Sequence, residues 1–222
     1  MIFHRFEPCY FQLSFMPSVL FELTLDDQTA VWLKQFYKSG RSVVLEYGTG
    51  GSTVLALESH PETVVYACET DSAWLSRLML HLAEKKISDR VYPVHLDIGS
   101  TGAWGVPVFD GELPMTSSRM QKFLQAPLTP WKLIQKHEQY PDLVVIDGRW
   151  RNACFLATLL FARKKTLVLW DDYLDRPQYH LFETLIGPAH FVGRSAIYEV
   201  APSQYDAAEV ITKYLGVFAD WG

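Results

Sequence analysis

The sequence predicts an α/β protein with a doubly wound, mostly parallel sheet that ends in an antiparallel edge hairpin. Three observations predict this fold. Short apolar runs rich in β-branched residues alternate with longer amphipathic stretches, as in strand–helix–strand units. The strand candidates are continuously apolar, as expected when helices cover both faces of a sheet. Near the C-terminus, two short apolar runs are separated by only three residues, which is typical of a hairpin.

The first half of the chain alternates between helix and strand candidates. Asp71 is well placed to cap a helix, because a carboxylate accepts hydrogen bonds from the free N–H groups of a first helical turn. Gly40 ends the first helix candidate. The predicted elements are a helix at Asp26–Tyr37, a strand at Val43–Tyr47, a helix at about Ser52–Ser59, a strand at Thr63–Cys68, a helix at Asp71–Lys86 and a strand at Val91–Leu96.

The second half continues this alternation after a long irregular stretch. Residues 98–141 contain several Gly and Pro residues as well as Trp104 and Trp131, and we predict that they form a lid or insertion, because loops of this length are usually functional. The later predicted elements are a strand at Asp142–Ile146, a helix at Trp150–Ala162, a strand at Thr166–Trp170, a helix around Tyr179–Ile186, and hairpin strands at His190–Val192 and Ala196–Val200.

The composition favours one globular domain that does not bind nucleic acid. Of the 222 residues, 49% are hydrophobic and 14% aromatic, which is enough to build a substantial core. The net charge is −5 and the basic residues are scattered, so no phosphate-binding surface is predicted. We divide the domain into an N-terminal extension and helix at residues 1–40, a core at 41–201 and a C-terminal segment at 202–222.

The cysteines and the N-terminus predict a soluble cytoplasmic protein. Cys9, Cys68 and Cys154 are far apart and form no CxxC pair, which argues against a disulfide framework and a zinc site. The apolar N-terminus is interrupted by charged residues and prolines, unlike a signal peptide, and no uninterrupted apolar run could span a membrane. The aromatic-rich first twenty residues are expected to pack either on the domain or on a second subunit, as in a homodimer.

The most informative segment is Val43–Leu57, with the sequence VVLEYGTGGSTVLAL. A strand, a glycine-rich turn and a helix in this order bring backbone N–H groups and a helix N-terminus against a nucleotide-like ligand. Glu46 comes just before the first glycine, where a carboxylate would repel a pyrophosphate and attract a positively charged ligand. The segment therefore predicts a site for a cationic nucleoside cofactor.

This segment resembles the first motif of the class I S-adenosylmethionine-dependent methyltransferases, which is an acidic residue followed by Gly-x-Gly. The resemblance covers roughly Val43 to Ala201, and it implies a Rossmann-like fold and S-adenosylmethionine as cofactor. It also implies that Glu69 holds the ribose hydroxyls and that Asp97 contacts the adenine. The predicted cofactor-binding residues are Glu46, Gly48, Thr49, Gly50, Ser52, Thr53, Glu69 and Asp97.

Two other interpretations of the glycine segment remain open. A nicotinamide-dependent dehydrogenase would share Gly48, Gly50 and Glu69. In that family a third glycine stands where this chain has Thr53, and Glu46 would face a pyrophosphate. Alternatively, the glycines only turn the chain and the acidic residues are solvated caps.

Three aspartates follow the fourth and fifth predicted strands, namely Asp147, Asp171 and Asp172. This arrangement resembles the metal-dependent O-methyltransferases of the catechol and caffeoyl-CoA type, and it implies Mg²⁺ bound by the three carboxylates. The chain departs from that pattern at two positions. Asp172 replaces an asparagine, and Trp150 stands where the family has a lysine. The alternative is a metal-free site in which the carboxylates pair with arginines.

The arginines near these aspartates also allow two roles. Arg149, Arg151 and Arg176 could bind an anionic acceptor, since a guanidinium holds a carboxylate or phosphate with two hydrogen bonds, or they could tie down local loops. Trp104 could cover the adenine or the acceptor, or anchor its loop. His180 is a candidate base for a metal-free enzyme.

The sequence as a whole predicts methyl transfer from S-adenosylmethionine to a small molecule, with oxygen as the acceptor atom. Asp147, Asp171 and His180 are the predicted catalytic residues. An aminopropyltransferase is one alternative, because such enzymes use acidic residues to hold a polyamine. A non-catalytic protein that binds the cofactor or serves as a scaffold is the other.

Overall fold

A computed structural model describes residues 21–109, 111, 116–202 and 205–222. They build a seven-stranded sheet with the strand order β3-β2-β1-β4-β5-β7-β6. The first five strands in the chain pair in parallel, β7 is antiparallel to β5, and β6 is antiparallel to β7. The predicted fold class, including the closing hairpin, is confirmed. The strands are β1 at Val43–Tyr47, β2 at Val64–Glu69, β3 at Val91–His95, β4 at Leu143–Ile146, β5 at Thr166–Trp170, β6 at His190–Val192 and β7 at Ser195–Val200.

Seven α-helices lie among the described residues. The helices are α1 at Asp27–Lys38, α2 at Gly51–Ser59, α3 at Ser72–Glu84, α4 at Ser117–Gln125, α5 at Thr129–His137, α6 at Arg151–Phe161 and α7 at Ala207–Tyr214. The predicted cap of α3 is confirmed, because the Asp71 carboxylate accepts hydrogen bonds from the N–H groups of Ala73 and Trp74. Asp26 caps α1 in the same way.

The core consists of two apolar layers, one on each face of the sheet. Successive residues of a strand point to opposite faces, so Val44 and Val145 lie in one layer while Leu45 and Val144 lie in the other. Because both layers are covered by helices, the central strands are apolar at almost every position. Cys68 and Cys154 are buried with free thiols, as small core residues.

The segment at 98–141 differs from the predicted irregular lid, because it contains α4 and α5. Trp131, on α5, is buried and donates a hydrogen bond from Nε1 to the Tyr47 hydroxyl at 2.9 Å. The same hydroxyl donates to the Pro127 carbonyl at 2.6 Å, which ties the segment to β1. These contacts, together with the buried Phe123 and Ile134, make one side of α4 and α5 part of the core.

The segment after β5 differs from its prediction. The helix expected around Tyr179–Ile186 is instead a 3₁₀ helix at Pro177–Phe182. The predictions for the first twenty residues and Cys9 lie outside the described residues. No described helix combines the length and the apolar character that crossing a membrane requires.

Candidate active site

A cavity of about 500 Å³ lies at the carboxyl ends of β1, β2 and β4. In open α/β sheets, ligands bind at this end of the strands. The cavity is lined by the glycine loop, by the end of β2 with Trp74 and Arg77 of α3, by a turn after β3, by the end of β4, and by the N-terminal segment before α1. The lining residues on these elements include Gly48–Ser52, Glu69–Asp71, Ala103–Gly105, Asp147–Arg149, Glu22 and Thr24.

The glycine loop is shaped by two close backbone contacts. Gly48 has φ +90°, and a Cβ at this position would lie 2.5 Å from the backbone nitrogen of Gly148. A Cβ at Gly51, the first residue of α2, would lie 2.5 Å from the carbonyl oxygen of Glu22. Only glycine allows these approaches, because any larger residue would push the neighbouring backbone away. The loop is therefore held between the turn after β4 and the N-terminal segment.

Glu46 lies beneath the glycine loop and does not line the cavity. Its carboxylate accepts hydrogen bonds from the hydroxyls of Ser52 and Thr53, and Thr53 in turn accepts one from the N–H of Gly50. Burial raises the pKa of Glu46 to about 7. Glu46 and Thr53 thus support the loop from within the protein, whereas Ser52 reaches the cavity wall.

Glu69 lies at the end of β2 with its carboxylate held in place by the backbone. Its Oε1 accepts hydrogen bonds from the N–H groups of Thr70 at 2.7 Å and Asp71 at 3.1 Å, and its Oε2 accepts one from Thr49 at 3.4 Å. Burial raises the pKa of Glu69 above its ordinary value, and these hydrogen bonds oppose that rise. The predicted ribose anchor is therefore a fixed carboxylate in the cavity wall.

Thr49 presents an unused hydroxyl beside this carboxylate. Within the described part of the chain, its buried Oγ1 has no hydrogen-bond partner. Trp74, which the sequence interpretation did not assign, donates from Nε1 to the Thr49 carbonyl at 2.7 Å and so fixes the loop from the outside. A buried polar atom without a partner is uncommon and indicates a ligand or water group at that position.

Asp97 is not brought to the cavity. Its side chain is 58% exposed and pairs with Lys122 at 2.9 Å, and it also accepts a hydrogen bond from the N–H of Gly99. Leu96, one residue earlier, lines the cavity instead. Asp97 therefore lies away from the cavity, and its position does not support the predicted contact with adenine.

A turn at Ala103–Gly105 crosses the mouth of the cavity. The Gly105 carbonyl accepts a hydrogen bond from Thr70 Oγ1 at 3.2 Å, and the Trp104 carbonyl accepts one from Arg149 Nε at 2.9 Å. The turn therefore joins the ends of β2 and β4. Trp104 has a left-handed backbone at φ +59°, and the residue is 82% exposed, so its indole does not anchor the turn.

The three aspartates converge as predicted, with one carboxylate oxygen of each within 4.8 Å of the others. We call Asp147, Asp171 and Asp172 the acidic triad. Each member is paired with arginine. The ion pairs are Arg151–Asp147 at 3.1 Å, Arg151–Asp172 at 3.4 Å, Arg176–Asp172 at 2.7 Å, Arg194–Asp171 at 2.6 Å and Arg194–Asp172 at 2.9 Å.

The acidic triad does not fit a Mg²⁺ site. Asp171 is fully buried and accepts two hydrogen bonds from Arg194, at 3.0 and 2.6 Å, and one from Ser195 at 2.9 Å. Arg194 holds the pKa of Asp171 below its ordinary value. Five of the six carboxylate oxygens of the acidic triad are thus already paired with guanidinium groups, and the charge of these groups would also repel a metal ion. Arg194 was not identified from the sequence.

Among the acidic triad, Asp147 alone lines the cavity. Burial, opposed by the charge of Arg151 and reinforced by the neighbouring Asp171 and Asp172 carboxylates, raises its pKa to about 7. A carboxylate with a pKa near neutrality can accept a proton at physiological pH. Asp171 and Asp172 are instead part of the wall behind it.

Arg149 lines the cavity, whereas the predicted site residues Arg151 and His180 do not. Arg151 is bound to the Gly148, Asp171 and Asp147 carbonyls, which leaves it unsuited to bind a substrate. His180 lies outside the cavity lining, stacks on Tyr173 and has its Nε2 3.0 Å from the Tyr173 carbonyl.

Comparison with solved structures identifies the family. A methyltransferase-like protein from Silicibacter pomeroyi is 32% identical to this chain, with a TM-score of 0.78, and the match covers 90% of this chain and 98% of that one. The chain belongs to the class I S-adenosylmethionine-dependent methyltransferases, a family of enzymes. No protein-family model and no curated protein matches the sequence.

More distant structures share the fold. A methyltransferase from Geobacter sulfurreducens is 12% identical with a TM-score of 0.51, and the match covers 80% of each chain. The O-methyltransferase of tomaymycin synthesis from Streptomyces achromogenes, solved in complex with S-adenosylmethionine, is 13% identical with a TM-score of 0.52, and the match covers 82% of each chain.

The cavity fits the cofactor of this family. Its volume is in the range of small-ligand sites, which is roughly 300–1,000 Å³. The fixed Glu69 carboxylate can accept two hydrogen bonds from ribose hydroxyls, the unpaired Thr49 hydroxyl offers a further polar contact, and glycines allow the loop to approach the ligand closely.

Proposed function

We propose that this protein transfers a methyl group from S-adenosylmethionine to an oxygen atom of a small molecule, and that no divalent metal takes part. The observation that carries the proposal is that Asp147 lines the same cavity as the glycine loop and Glu69. A proton acceptor and the residues suited to hold the cofactor thus lie around one space. The arginine pairing of the acidic triad supports the metal-free form.

In the proposed reaction, Gly48–Ser52 and Glu69 hold the cofactor, which supplies a methyl group on a sulfonium with a good leaving group. The acceptor hydroxyl would lose its proton as its oxygen forms the bond to the methyl carbon, while the bond from that carbon to the sulfonium sulfur breaks and S-adenosylhomocysteine leaves. Asp147 takes this proton, and Arg151 keeps the carboxylate in position through its ion pair at 3.1 Å. The turn that contains Trp104 reduces the access of water, which helps because the displacement depends mainly on alignment.

The proposal is tested first by calorimetry with S-adenosylmethionine, S-adenosylhomocysteine and NAD. We expect both adenosyl compounds to bind and NAD not to bind. A panel of hydroxylated small molecules is then screened for release of S-adenosylhomocysteine, with Asp147→Asn as the control variant. Tight NAD binding without binding of the adenosyl compounds would refute the cofactor assignment. Turnover that persists unchanged in Asp147→Asn would refute the role of Asp147.

A further inference from the structure

Four arginines lie close to the acidic triad, and three of them are neutralised by it. Arg151, Arg176 and Arg194 each form at least one ion pair with a member of the acidic triad. Each of these three guanidinium groups thus has at least one carboxylate partner. The fourth arginine, Arg149, forms no ion pair with any described residue, and its side chain donates only from Nε, to the Trp104 carbonyl.

Arg149 lines the cavity and brings to it a positive charge that no described carboxylate pairs with. Partial burial and the nearby charge of Arg151 lower its pKa, but an arginine side chain remains protonated in proteins. A ligand with a negative charge would stabilise this partly buried cation. The two terminal nitrogens of Arg149 donate no hydrogen bond to a described residue, and they offer the parallel pair of donors that a carboxylate or phosphate binds.

The Arg149 side chain is hydrogen-bonded to the turn that carries Trp104. The hydrogen bond from its Nε to the Trp104 carbonyl, at 2.9 Å, joins the guanidinium to the turn at the cavity mouth. Trp104 is 82% exposed, although its neighbour Gly105 is buried. An exposed indole on a turn held at both ends provides a flat apolar face that a planar ligand can cover.

We propose that the acceptor of this enzyme is a planar small molecule with an anionic group, which pairs with Arg149 while its ring stacks on Trp104. The anionic group is a carboxylate or a phosphate, since both match the two donors of the guanidinium. This proposal rests on the proposed methyltransferase function and defines the class of its acceptor. Arg149 is then a specificity-determining residue, and Asp147, two positions earlier, is the proton acceptor.

The test uses benzoate, phenyl phosphate and the neutral benzamide as probes, titrated by ligand-observed NMR into the full-length protein saturated with S-adenosylhomocysteine. We expect at least one anion to bind about tenfold more tightly than benzamide, and Arg149→Gln to remove this preference. The anion that loses more affinity in the variant identifies the preferred group. Trp104→Ala should weaken all three probes, and Arg163→Gln, which removes an exposed arginine, should change none of them.

A second pair of titrations separates the acceptor from the cofactor, which also has a carboxylate. S-adenosylhomocysteine contains this group, whereas 5′-methylthioadenosine lacks it. If Arg149→Gln weakens the first compound and not the second, Arg149 binds the cofactor and the proposal is overturned. Equal binding of benzoate, phenyl phosphate and benzamide to the wild-type protein would also overturn it. If the protein binds no adenosyl compound, the proposed function fails, and the anion preference is then measured on the protein alone.

Discussion

Replacing Arg151 by methionine is the most direct test of the structure around the acidic triad. The Arg151 side chain is 8% exposed and pairs with both Asp147 and Asp172. It also donates hydrogen bonds to the carbonyls of Gly148, Asp171 and Asp147, at 2.9, 2.7 and 3.0 Å. Methionine has a similar length and no charge, so packing is largely kept while every one of these polar interactions is lost.

The expected loss follows from the burial of these partners. Removing one member of a buried ion pair costs about 3–5 kcal/mol, because the remaining charge is left without compensation. We therefore expect Arg151→Met to lower the free energy of unfolding by about 3–5 kcal/mol. For a chain of this size, each kcal/mol lowers the melting temperature by about 2–4 °C, so the decrease should be readily measurable. Arg151→Lys should lose less, since it keeps the charge but not the fork of donors.

The free energy of unfolding is measured by urea denaturation followed by circular dichroism, with Arg163→Met as the matched control. Arg163 is exposed, and its replacement should change the free energy of unfolding by less than about 0.5 kcal/mol. If Arg151→Met costs less than about 1 kcal/mol, as for a solvent-exposed ion pair, the assignment of Arg151 as the central partner of the acidic triad is wrong.

Three further predictions concern the site. Because only the ionised form of Asp147 accepts a proton and its pKa is raised to about 7, kcat/KM should fall as the pH decreases below about 7. Asp147→Asn should lose about 10²–10⁴-fold in rate with S-adenosylhomocysteine binding unchanged, and a pH profile identical to the wild type would contradict this role. Gly48→Ala should abolish S-adenosylhomocysteine binding in calorimetry, since its Cβ would lie 2.5 Å from the Gly148 nitrogen, whereas Gly187→Ala, with open space around it, should bind normally. EDTA should leave the rate of methyl transfer unchanged and Mg²⁺ should not raise the melting temperature; a metal requirement would show that the arginines can leave the acidic triad.

The strands could be predicted from the sequence because their signal is local. A short apolar run between polar turns is readable without knowing what packs on it, and β1 to β5 all occur near the expected positions. The helices α4 and α5 could not be predicted in the same way. They are short, and their place in the core depends on Tyr47, which contacts Trp131 from 84 positions away. Such a contact leaves no periodic pattern in the sequence.

The part of the site that depends on the order of the strands could be predicted from the sequence. Residues that follow parallel neighbouring strands meet at one edge of the sheet, which brings Asp147, Asp171 and Asp172 together as expected. Strand order does not show to which side of the sheet a side chain near the end of a strand points. Glu46 points under the glycine loop, where the Ser52 and Thr53 hydroxyls bind it, and composition does not reveal this choice.

The position of Arg194 required the register of an antiparallel pair. In the structure, Trp170 of β5 lies opposite Ala196 of β7, so the turn before β7 lies beside Asp171. The sequence predicted the hairpin but not which residues of β7 pair with β5. Without this register, the contact between Arg194 and Asp171 could not be predicted.

The arginine pairs also connect the end of β5 to two segments that line the cavity, the end of β4 and the N-terminal segment. Arg194 donates hydrogen bonds to the Thr24 carbonyl and, through its backbone N–H, to the Asp26 carboxylate, while its guanidinium holds Asp171. Arg151 joins the end of β4 to the end of β5. The N-terminal segment and two strand ends are thus held together by guanidinium groups, as a metal ion could hold them by coordination. Burial raises the pKa of Asp147 to about 7 while the charges of Arg151 and Arg194 oppose the rise, so that this carboxylate can act as a proton acceptor near neutral pH.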